Sequence, residues 1–291
     1  MGAREAPFDG IMKDLEFERE KTIRDFGDQW TRHPTNTGYY ASKALLADII
    51  EPLLDIKEIQ GRKVLEIGSG TGRIVGMLVE ASADHVVAVE PSRAFDVLTR
   101  NTEGYGSKVT RLRLRGDQIG PLDCDLVLSI GVIHHIPNPQ PVMQAAWSTL
   151  KEGGRCLIWV YSREGNELYL AIAQPLRKIT RSLPVWANNL LAGILYWPVL
   201  AYAHLARLIP SLPLSAYLRK VFLRFAAEQR RLVILDQINP TWAKYYTREE
   251  AERLLRSAGF MDIQIHGRHG YSWTVIGTKA KVSAYAINFA K

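Results

Sequence analysis

The hydrophobic pattern from residue 62 to 161 alternates between short apolar runs and stretches with helical spacing. The apolar runs predict strands at VLEIG (64–68), HVVAVE (85–90), VTRLRLR (109–115), CDLVLSIGVI (124–133) and GGRCLIWVY (153–161). Helical patterns separate them, as in SRAFDVLTRN (92–101) and PVMQAAWSTLK (141–151). Strands that alternate with helices in this way predict an α/β fold with a doubly wound parallel sheet.

Helical and hairpin patterns flank this region. Residues 8–33 are amphipathic and charged, Pro34 ends that helix, and a second helix is predicted from about Ser42 to Ile50. TREEAERLLRSAGF (247–260) begins with the capping pair of Thr247 and Glu250 and predicts a helix. MDIQIHG and SWTVIGTK then predict an antiparallel hairpin at the sheet edge.

Residues 162–240 interrupt the α/β rhythm, because they are rich in Leu, Ala, Tyr, Trp and Arg and contain no strand pattern. A connection of this length is far longer than an ordinary loop. We therefore predict three parts. These are an N-terminal helical cap (1–40), one α/β domain formed by 41–161 and 241–291, and a helical insertion (162–240) between the two segments of that domain.

The composition is that of a globular protein. Of 291 residues, 47% are hydrophobic and 23% are charged, which excludes a largely disordered or fibrous chain. Two cysteines are too few for a disulfide framework or a cysteine-built zinc site, and the histidine spacings are weak signals, so we predict no metal. The N-terminal residues lack the apolar core of a secretory signal, and we expect a cytoplasmic protein.

The net charge of +7 lies entirely within residues 162–231, which hold ten basic and three acidic residues. Inside this segment, residues 182–206 contain no charged residue, and that length could span a bilayer. Pro184 and Pro198 are expected to interrupt such a helix. Three interpretations stay open: peripheral docking on an anionic membrane surface, a lid or homo-oligomer surface, and a membrane span. A nucleic-acid partner is not expected, because apolar residues outnumber basic ones throughout.

The most informative motif is LEIGSGTGR, in which a strand ends in a glycine-rich turn that opens a helix. A dinucleotide site of the form GxGxxG does not fit, because its third glycine would fall on Arg73. Glu66 can instead meet a cationic amino group, and Glu90 follows the second strand, where it can accept two ribose hydroxyls. Asp117 follows the third strand, where a carboxylate can bind an adenine amino group.

With these motifs the sheet domain resembles the class I S-adenosylmethionine-dependent methyltransferases. The resemblance rests on LEIGSGTG, VEPS, GD and DLVLSIGVIHHI in this order, followed by LKEGGRCLIWVY. It implies S-adenosylmethionine as cofactor and S-adenosylhomocysteine as product. The residues that the resemblance assigns to the cofactor are Glu66, Gly68, Ser69, Gly70, Gly72, Glu90, Pro91, Asp117, Gln118, Ser129 and Ile130.

His134 and His135 follow the fourth strand, at the carboxyl edge where such sheets bind ligands. The ordinary pKa of histidine suits a general base that deprotonates a hydroxyl acceptor, so both are catalytic candidates. The alternative is that one or both only form the turn before Pro137.

Other polar and aromatic side chains reach the same edge or return to it from the insertion. The candidates for acceptor binding are Tyr39, Tyr40, Tyr161, Arg163, Asp236, Asn239, Tyr245 and Tyr246. Packing at the junction with the insertion is the alternative for Asp236, Asn239, Tyr245 and Tyr246. Trp30, Tyr39 and Tyr40 precede the sheet domain, and the resemblance implies that this segment folds over the cofactor. Plain core packing is the alternative for these three residues.

YSREGNELYL and DQINPTWAKYY are also similar to stretches of bacterial methyltransferases of surface polysaccharide or lipid-linked glycan pathways. We therefore expect O-methylation of a small or lipid-linked acceptor, with a glycan precursor as one example. Two alternatives stay open. One is N- or C-methylation of an amphipathic lipid, quinone or secondary metabolite, and the other is a cofactor-binding assembly partner at the membrane.

Overall fold

The computed structural model describes residues 7–180, 182–238 and 242–281. The described residues form one seven-stranded sheet with the order β3-β2-β1-β4-β5-β7-β6. The strands are β1 (Lys63–Ile67), β2 (His85–Val89), β3 (Val109–Leu112), β4 (Cys124–Ile130), β5 (Leu150–Tyr161), β6 (Met261–Arg268) and β7 (Ser272–Thr278). β1 to β5 are parallel, and β7 is antiparallel to both β5 and β6. The predicted α/β fold class and the edge hairpin are confirmed.

Ten α-helices are found in the described ranges. They are α1 (Pro7–Arg32), α2 (Lys43–Ile50), α3 (Arg73–Glu80), α4 (Phe95–Thr102), α5 (Gln140–Thr149), α6 (Glu167–Thr180), α7 (Val185–Leu208), α8 (Ser215–Lys220), α9 (Ala227–Ile238) and α10 (Arg248–Arg256). α3, α4 and α5 connect parallel strands, whereas α6 to α9 lie between β5 and α10, in the segment where the pattern predicts a helical insertion.

The core has two layers because side chains alternate along each strand. In β1, Val64 belongs to the cluster that packs against α2 and α3, whereas Leu65 and Ile67 belong to the cluster that packs against α5 and α10. A third cluster joins α7, α8 and α9 and includes Tyr196, Phe222 and Ile234. The insertion therefore has its own apolar core.

Several local features differ from the prediction, since β3 ends at Leu112 instead of residue 115 and β5 begins at Leu150 instead of residue 153. Two further differences have a clear physical reason. Pro198 does not interrupt α7, which continues from Val185 to Leu208. Pro198 lies on the exposed side of the helix, where water can bind the carbonyl group that lost its partner. The fourth strand ends at Ile130 rather than at Ile133, because Gly131 adopts a φ of +79° and residues 133–135 form a short 3-10 turn.

Candidate active site

A cavity of about 680 Å³ lies at the carboxyl ends of the parallel strands. The strand order reverses between β1 and β4, and such a switch point leaves a crevice at this edge. α1 covers the crevice with Phe26 and Trp30. From there the cavity continues between the helices of the insertion, and we call this part the insertion chamber. The side chains that line it are mostly apolar: Ile172, Ala173, Leu176, Leu195, Val199, Leu214, Leu218, Phe222, Phe225 and Ile234.

The turn after β1 brings backbone close to the cavity. Gly68, Gly70 and Gly72 have φ values of +80°, +51° and +80°, a conformation that side chains with a Cβ avoid. A Cβ on Gly68 would lie 2.5 Å from Cγ2 of Val132. Gly68 and Gly70 line the cavity, whereas Gly72 begins α3 and packs beside Thr102.

We expect Gly68→Ala to destabilise the protein by about 2–5 kcal/mol, because left-handed strain adds to overpacking against Val132. Urea unfolding monitored by circular dichroism measures this change. Gly104→Ala is the matched control, since a Cβ there meets no atom within 4 Å among the described residues. Equal stabilities of the two variants would contradict the steric argument.

Glu66 lies in β1 next to this turn, and only 2% of its surface is exposed. Its Oε2 has no hydrogen-bond partner among the described residues. Burial raises the pKa of Glu66 to about 8, and nearby Ser69 and Arg73 oppose this rise only in part. An unpaired carboxyl oxygen in a buried position is suited to a cationic hydrogen-bond donor, which would stabilise the ionised form.

Glu90 directly follows β2 and is held against the same turn. Its Oε2 accepts a hydrogen bond from the Gly70 N–H at 2.8 Å, and its Oε1 accepts one from the Ser92 N–H at 2.9 Å. Each carboxylate oxygen keeps a further lone pair, so a fixed Glu90 can still accept two hydroxyl groups. Pro91 lines the cavity beside it.

The remaining cofactor candidates divide between the cavity and its surroundings. Ser69, Ile130 and Asp117 line the cavity. Ser129 does not, because alternation along β4 turns its hydroxyl inward, where it donates to the Ile67 carbonyl. Gln118 is also turned away, since its side-chain oxygen accepts a hydrogen bond from the Arg115 N–H and completes a turn.

Asp117 is paired within the protein. It accepts a hydrogen bond from Arg19 Nη1 of α1 at 3.1 Å and another from Arg115 Nε at 3.0 Å. Sequence reasoning missed Arg19, because the pattern of a long amphipathic helix does not show which residue reaches a site almost a hundred positions away.

His135 lines the cavity and is oriented from outside it. Its Nδ1 lies 2.7 Å from the carbonyl oxygen of Trp242, so Nδ1 carries the hydrogen and Nε2 is the nitrogen that can take a proton. Burial lowers the pKa of His135, while the nearby Asp236 opposes this effect. The Phe26 ring packs against the imidazole with ring centroids 4.5 Å apart. His135 is therefore a neutral base at pH 7.

His134 lies beneath the cavity instead of lining it. It is fully buried and packs between His135 and Tyr161, at centroid distances of 4.2 and 4.0 Å. Neither ring nitrogen has a hydrogen-bond partner in the described part of the chain. Burial keeps the pKa of His134 well below 6.5, so it is a neutral aromatic packing residue. Of the two catalytic candidates, the structure brings only His135 to the cavity.

The acceptor candidates divide in the same way. Tyr40, Tyr161, Asp236 and Tyr245 line the cavity. Tyr246 points into the core on the opposite side of the chain from Tyr245, because it forms a strand-like bridge with Ser162.

Two further acceptor candidates, Arg163 and Tyr39, lie outside the cavity lining. The side chain of Arg163 is exposed. Tyr39 packs against Phe225 under the guanidinium of Arg224, outside the cavity lining. Asn239 lies outside the described residues.

A polar cluster joins the insertion to the sheet, and sequence reasoning missed three of its members, Tyr169, Arg177 and Gln237. Gln237 accepts from the Tyr169 hydroxyl at 2.6 Å and donates to the Tyr161 hydroxyl at 2.9 Å. Arg177 donates to the Tyr245 hydroxyl at 2.8 Å. Tyr169 and Gln237 line the cavity with Tyr161 and Tyr245, so this cluster forms a polar band between the carboxyl edge and the insertion chamber. The cluster is formed by two distant segments, 161–177 and 237–245, and no local spacing marks the three members that were missed.

Comparison with known proteins supports the class of this site. Residues 65–156 match the methyltransferase domain family. A tRNA U34 carboxymethyltransferase from Alteromonas mediterranea is 26% identical over 149 residues, which cover 45% of this chain and 45% of that protein. Its counterpart from Shewanella oneidensis is 27% identical and covers 49% of this chain and 44% of its own length. The chain thus aligns with less than half of the length of these relatives.

Among solved structures, an O-methyltransferase family protein from Burkholderia thailandensis superposes with a TM-score of 0.51 and 11% identity. The alignment covers 82% of this chain and 57% of that one, and it supports the shared fold alone.

Residues 65–156 are therefore similar to a methyltransferase domain, and the fold and the site together identify S-adenosylmethionine as the cofactor. The site fits that cofactor, because the unpaired Oε2 of Glu66 suits the methionine ammonium and the fixed Glu90 suits the ribose hydroxyls. The glycine turn lets the backbone approach the ligand closely.

Proposed function

We propose that this protein methylates a hydroxyl oxygen of an amphipathic acceptor whose apolar portion occupies the insertion chamber. The observation that carries the proposal is the continuity of one cavity, which is lined by Glu66 and His135 at the sheet and by apolar side chains of α6 to α9 beyond it. A small polar metabolite would leave these apolar walls uncovered, whereas an apolar chain would be removed from water by them.

His135 acts as the general base in this proposal. When bound, S-adenosylmethionine supplies a methyl group on a positively charged sulfur, which leaves as the neutral thioether of S-adenosylhomocysteine. The acceptor hydroxyl gives its proton to Nε2 of His135 as its oxygen forms the new bond to carbon. The Trp242 carbonyl holds the hydrogen of Nδ1 and so stabilises the imidazolium that forms. In this proposal the hydroxyl groups of Tyr161 and Tyr245, two residues that line the cavity, bind polar groups of the acceptor.

The acceptor class that fits is a lipid or a lipid-linked molecule with a polar hydroxyl-bearing head, and a lipid-linked glycan precursor is one example. Methylation of nitrogen or carbon would need no histidine base. Because His135 is oriented as a base, oxygen is favoured as the atom that receives the methyl group.

The relatives named tRNA U34 carboxymethyltransferase raise RNA as a competing acceptor. Recognition of RNA needs basic side chains that contact phosphates and aromatic rings that stack on bases. The insertion chamber is lined instead mostly by apolar side chains such as Leu176, Leu195 and Phe222, and none of the chamber residues named above is basic. This lining argues for an acceptor with an apolar portion. Methylation of RNA is the competing outcome that the experiment below distinguishes.

The test supplies the protein with methyl-labelled S-adenosylmethionine and, separately, with a total lipid extract and total tRNA. We expect label in the lipid fraction. Ala173→Trp places a large side chain in the insertion chamber and leaves no room for the apolar portion of the acceptor. This variant should incorporate about tenfold less label into lipid, or even less. Gln174→Trp, at an exposed position of the same helix outside the cavity lining, is the control and should keep full activity.

Both variants should bind S-adenosylhomocysteine as the unchanged protein does. Label in tRNA alone, or an Ala173→Trp variant with unchanged lipid methylation, would overturn the proposal. Mass spectrometry of the product then locates the methyl group on oxygen, nitrogen or carbon.

A further inference from the structure

We infer that the exposed apolar faces of α6 and α7 dock this protein on the surface of a bilayer that contains anionic lipids. A second part of the inference, that the acceptor enters the cavity from this bilayer, rests on the proposed function.

The first observation is a continuous stripe along α7. Trp186, Leu190, Ile194, Trp197, Leu205 and Leu208 are 70%, 59%, 60%, 69%, 44% and 80% exposed. Their spacing of three, four or eight residues places them on one side of the helix. A soluble surface rarely exposes so many large apolar side chains together. Two of them are tryptophans, which favour the boundary between lipid and water.

The second observation connects this surface with the cavity. α6 exposes Leu168, Ile172 and Ile179, at 60%, 67% and 64%, and Leu183 in the turn that leads to α7 is exposed as well. Ile172 also lines the cavity. The side chain of Ile172 thus belongs both to the exposed face and to the insertion chamber. The apolar portion of an acceptor that leaves the bilayer would therefore meet the chamber at α6.

The third observation is charge. Lys178 lies next to Ile179 on the exposed face of α6, and Arg207 lies beside the stripe at the last turn of α7. No acidic residue occurs from 168 to 227, and the whole excess charge of the chain lies in residues 162–231. Basic residues beside an apolar stripe complement anionic headgroups.

The other side of α7 argues for docking rather than spanning. Among the described residues α7 is the one helix long and apolar enough to cross a membrane. However, its opposite face is buried against α8 and α9 through Ala192, Tyr196 and Ala203. Asn188 is buried too and donates to the Thr180 carbonyl. A helix with one packed face and one open face lies in the plane of the interface.

The experiment is flotation of the full chain with vesicles of phosphatidylcholine, with and without 30% phosphatidylglycerol. We expect flotation with the anionic vesicles that weakens as salt increases. Trp197→Glu should reduce the bound fraction about tenfold or more. Lys178→Glu should reduce it about fivefold for the lost positive charge, and further for the added negative one. Met261→Glu is the matched control, since Met261 is 57% exposed on β6, and it should float normally.

Each other outcome overturns the inference. Resistance to salt and to alkaline carbonate would indicate a spanning helix. Failure to float, together with a dimer in ultracentrifugation that Trp197→Glu dissociates, would make the face a dimer surface. Failure to float as a monomer would exclude any docking role. Flotation involves no methyl transfer, so docking without lipid methylation would refute the proposed function and leave the docking surface intact.

Discussion

Replacement of His135 by alanine is expected to lower kcat about 10²- to 10⁴-fold, the usual contribution of a general base. The expectation follows from the position of the ring, which lines the cavity and donates its Nδ1 hydrogen to the Trp242 carbonyl. Binding of S-adenosylhomocysteine should change little, because the groups assigned to the cofactor are Glu66, Glu90 and the glycine turn. Steady-state kinetics and calorimetry measure the two effects separately.

The pH dependence gives an independent readout. Burial lowers the pKa of His135 below its ordinary value of 6.5, so the base form is present at pH 7 and is lost at lower pH. The logarithm of kcat should therefore be flat near pH 7 and fall with decreasing pH below 6.5 in the unchanged protein. This decline should be absent from the residual activity of His135→Ala.

His134→Phe is the matched control for this prediction. The ring of His134 makes aromatic contacts and has no hydrogen-bond partner among the described residues, so phenylalanine keeps its packing. Activity should stay within a few-fold of the unchanged protein. Near-full activity of His135→Ala would exclude the general-base role and would favour an amine or carbanion acceptor.

Replacement of Glu66 by glutamine is expected to weaken S-adenosylhomocysteine binding about 30-fold or more. Removal of one partner from a buried charged pair costs roughly 2–5 kcal/mol. The structural reason is the unpaired Oε2 of Glu66, which is buried beside the glycine turn where the methionine ammonium is expected. Isothermal calorimetry measures the affinity directly.

The raised pKa of Glu66 also predicts that ligand binding releases a proton. With a pKa of about 8 the group is largely protonated at pH 7 in the protein alone, and an ammonium partner favours its ionised form. Binding at pH 7 should therefore release close to one proton. Calorimetry in buffers of different ionisation enthalpy detects this release, and Glu66→Gln should abolish it.

The same shift determines how stability depends on pH. Because the folded protein holds this proton up to about pH 8 and the unfolded chain loses it near 4.5, folding becomes less favourable as pH rises between these values. Glu66→Gln removes this contribution and should raise the thermal midpoint at pH 8 without ligand. Glu80→Gln, an exposed carboxylate at the end of α3, is the matched control. Unchanged affinity and unchanged proton release in Glu66→Gln would refute the assignment of Glu66.

The sequence by itself determined the sheet, its helices and the glycine turn, because these depend on short-range patterns. Period-two and period-3.6 hydrophobicity identified β1 to β5 and α10 within a few residues. The motif around Gly68 to Gly72 predicted the turn, and its positive φ values explain why glycine occupies these positions. Because ligands bind at the carboxyl edge of such sheets, the sequence predicted that His135, Glu66 and Glu90 lie in one region.

Only the tertiary structure decided which members of each neighbouring pair reach the cavity. His135 and Tyr245 line it, while His134 and Tyr246 pack beneath it, and Ile130 lines it where Ser129 does not. The direction of a side chain in a turn depends on backbone dihedral angles that residue type does not determine. Local sequence patterns also could not predict contacts between distant segments, such as Arg19 with Asp117 and Gln237 with Tyr161. The insertion chamber exists because four helices pack around it, and the sequence determined only that those helices are apolar.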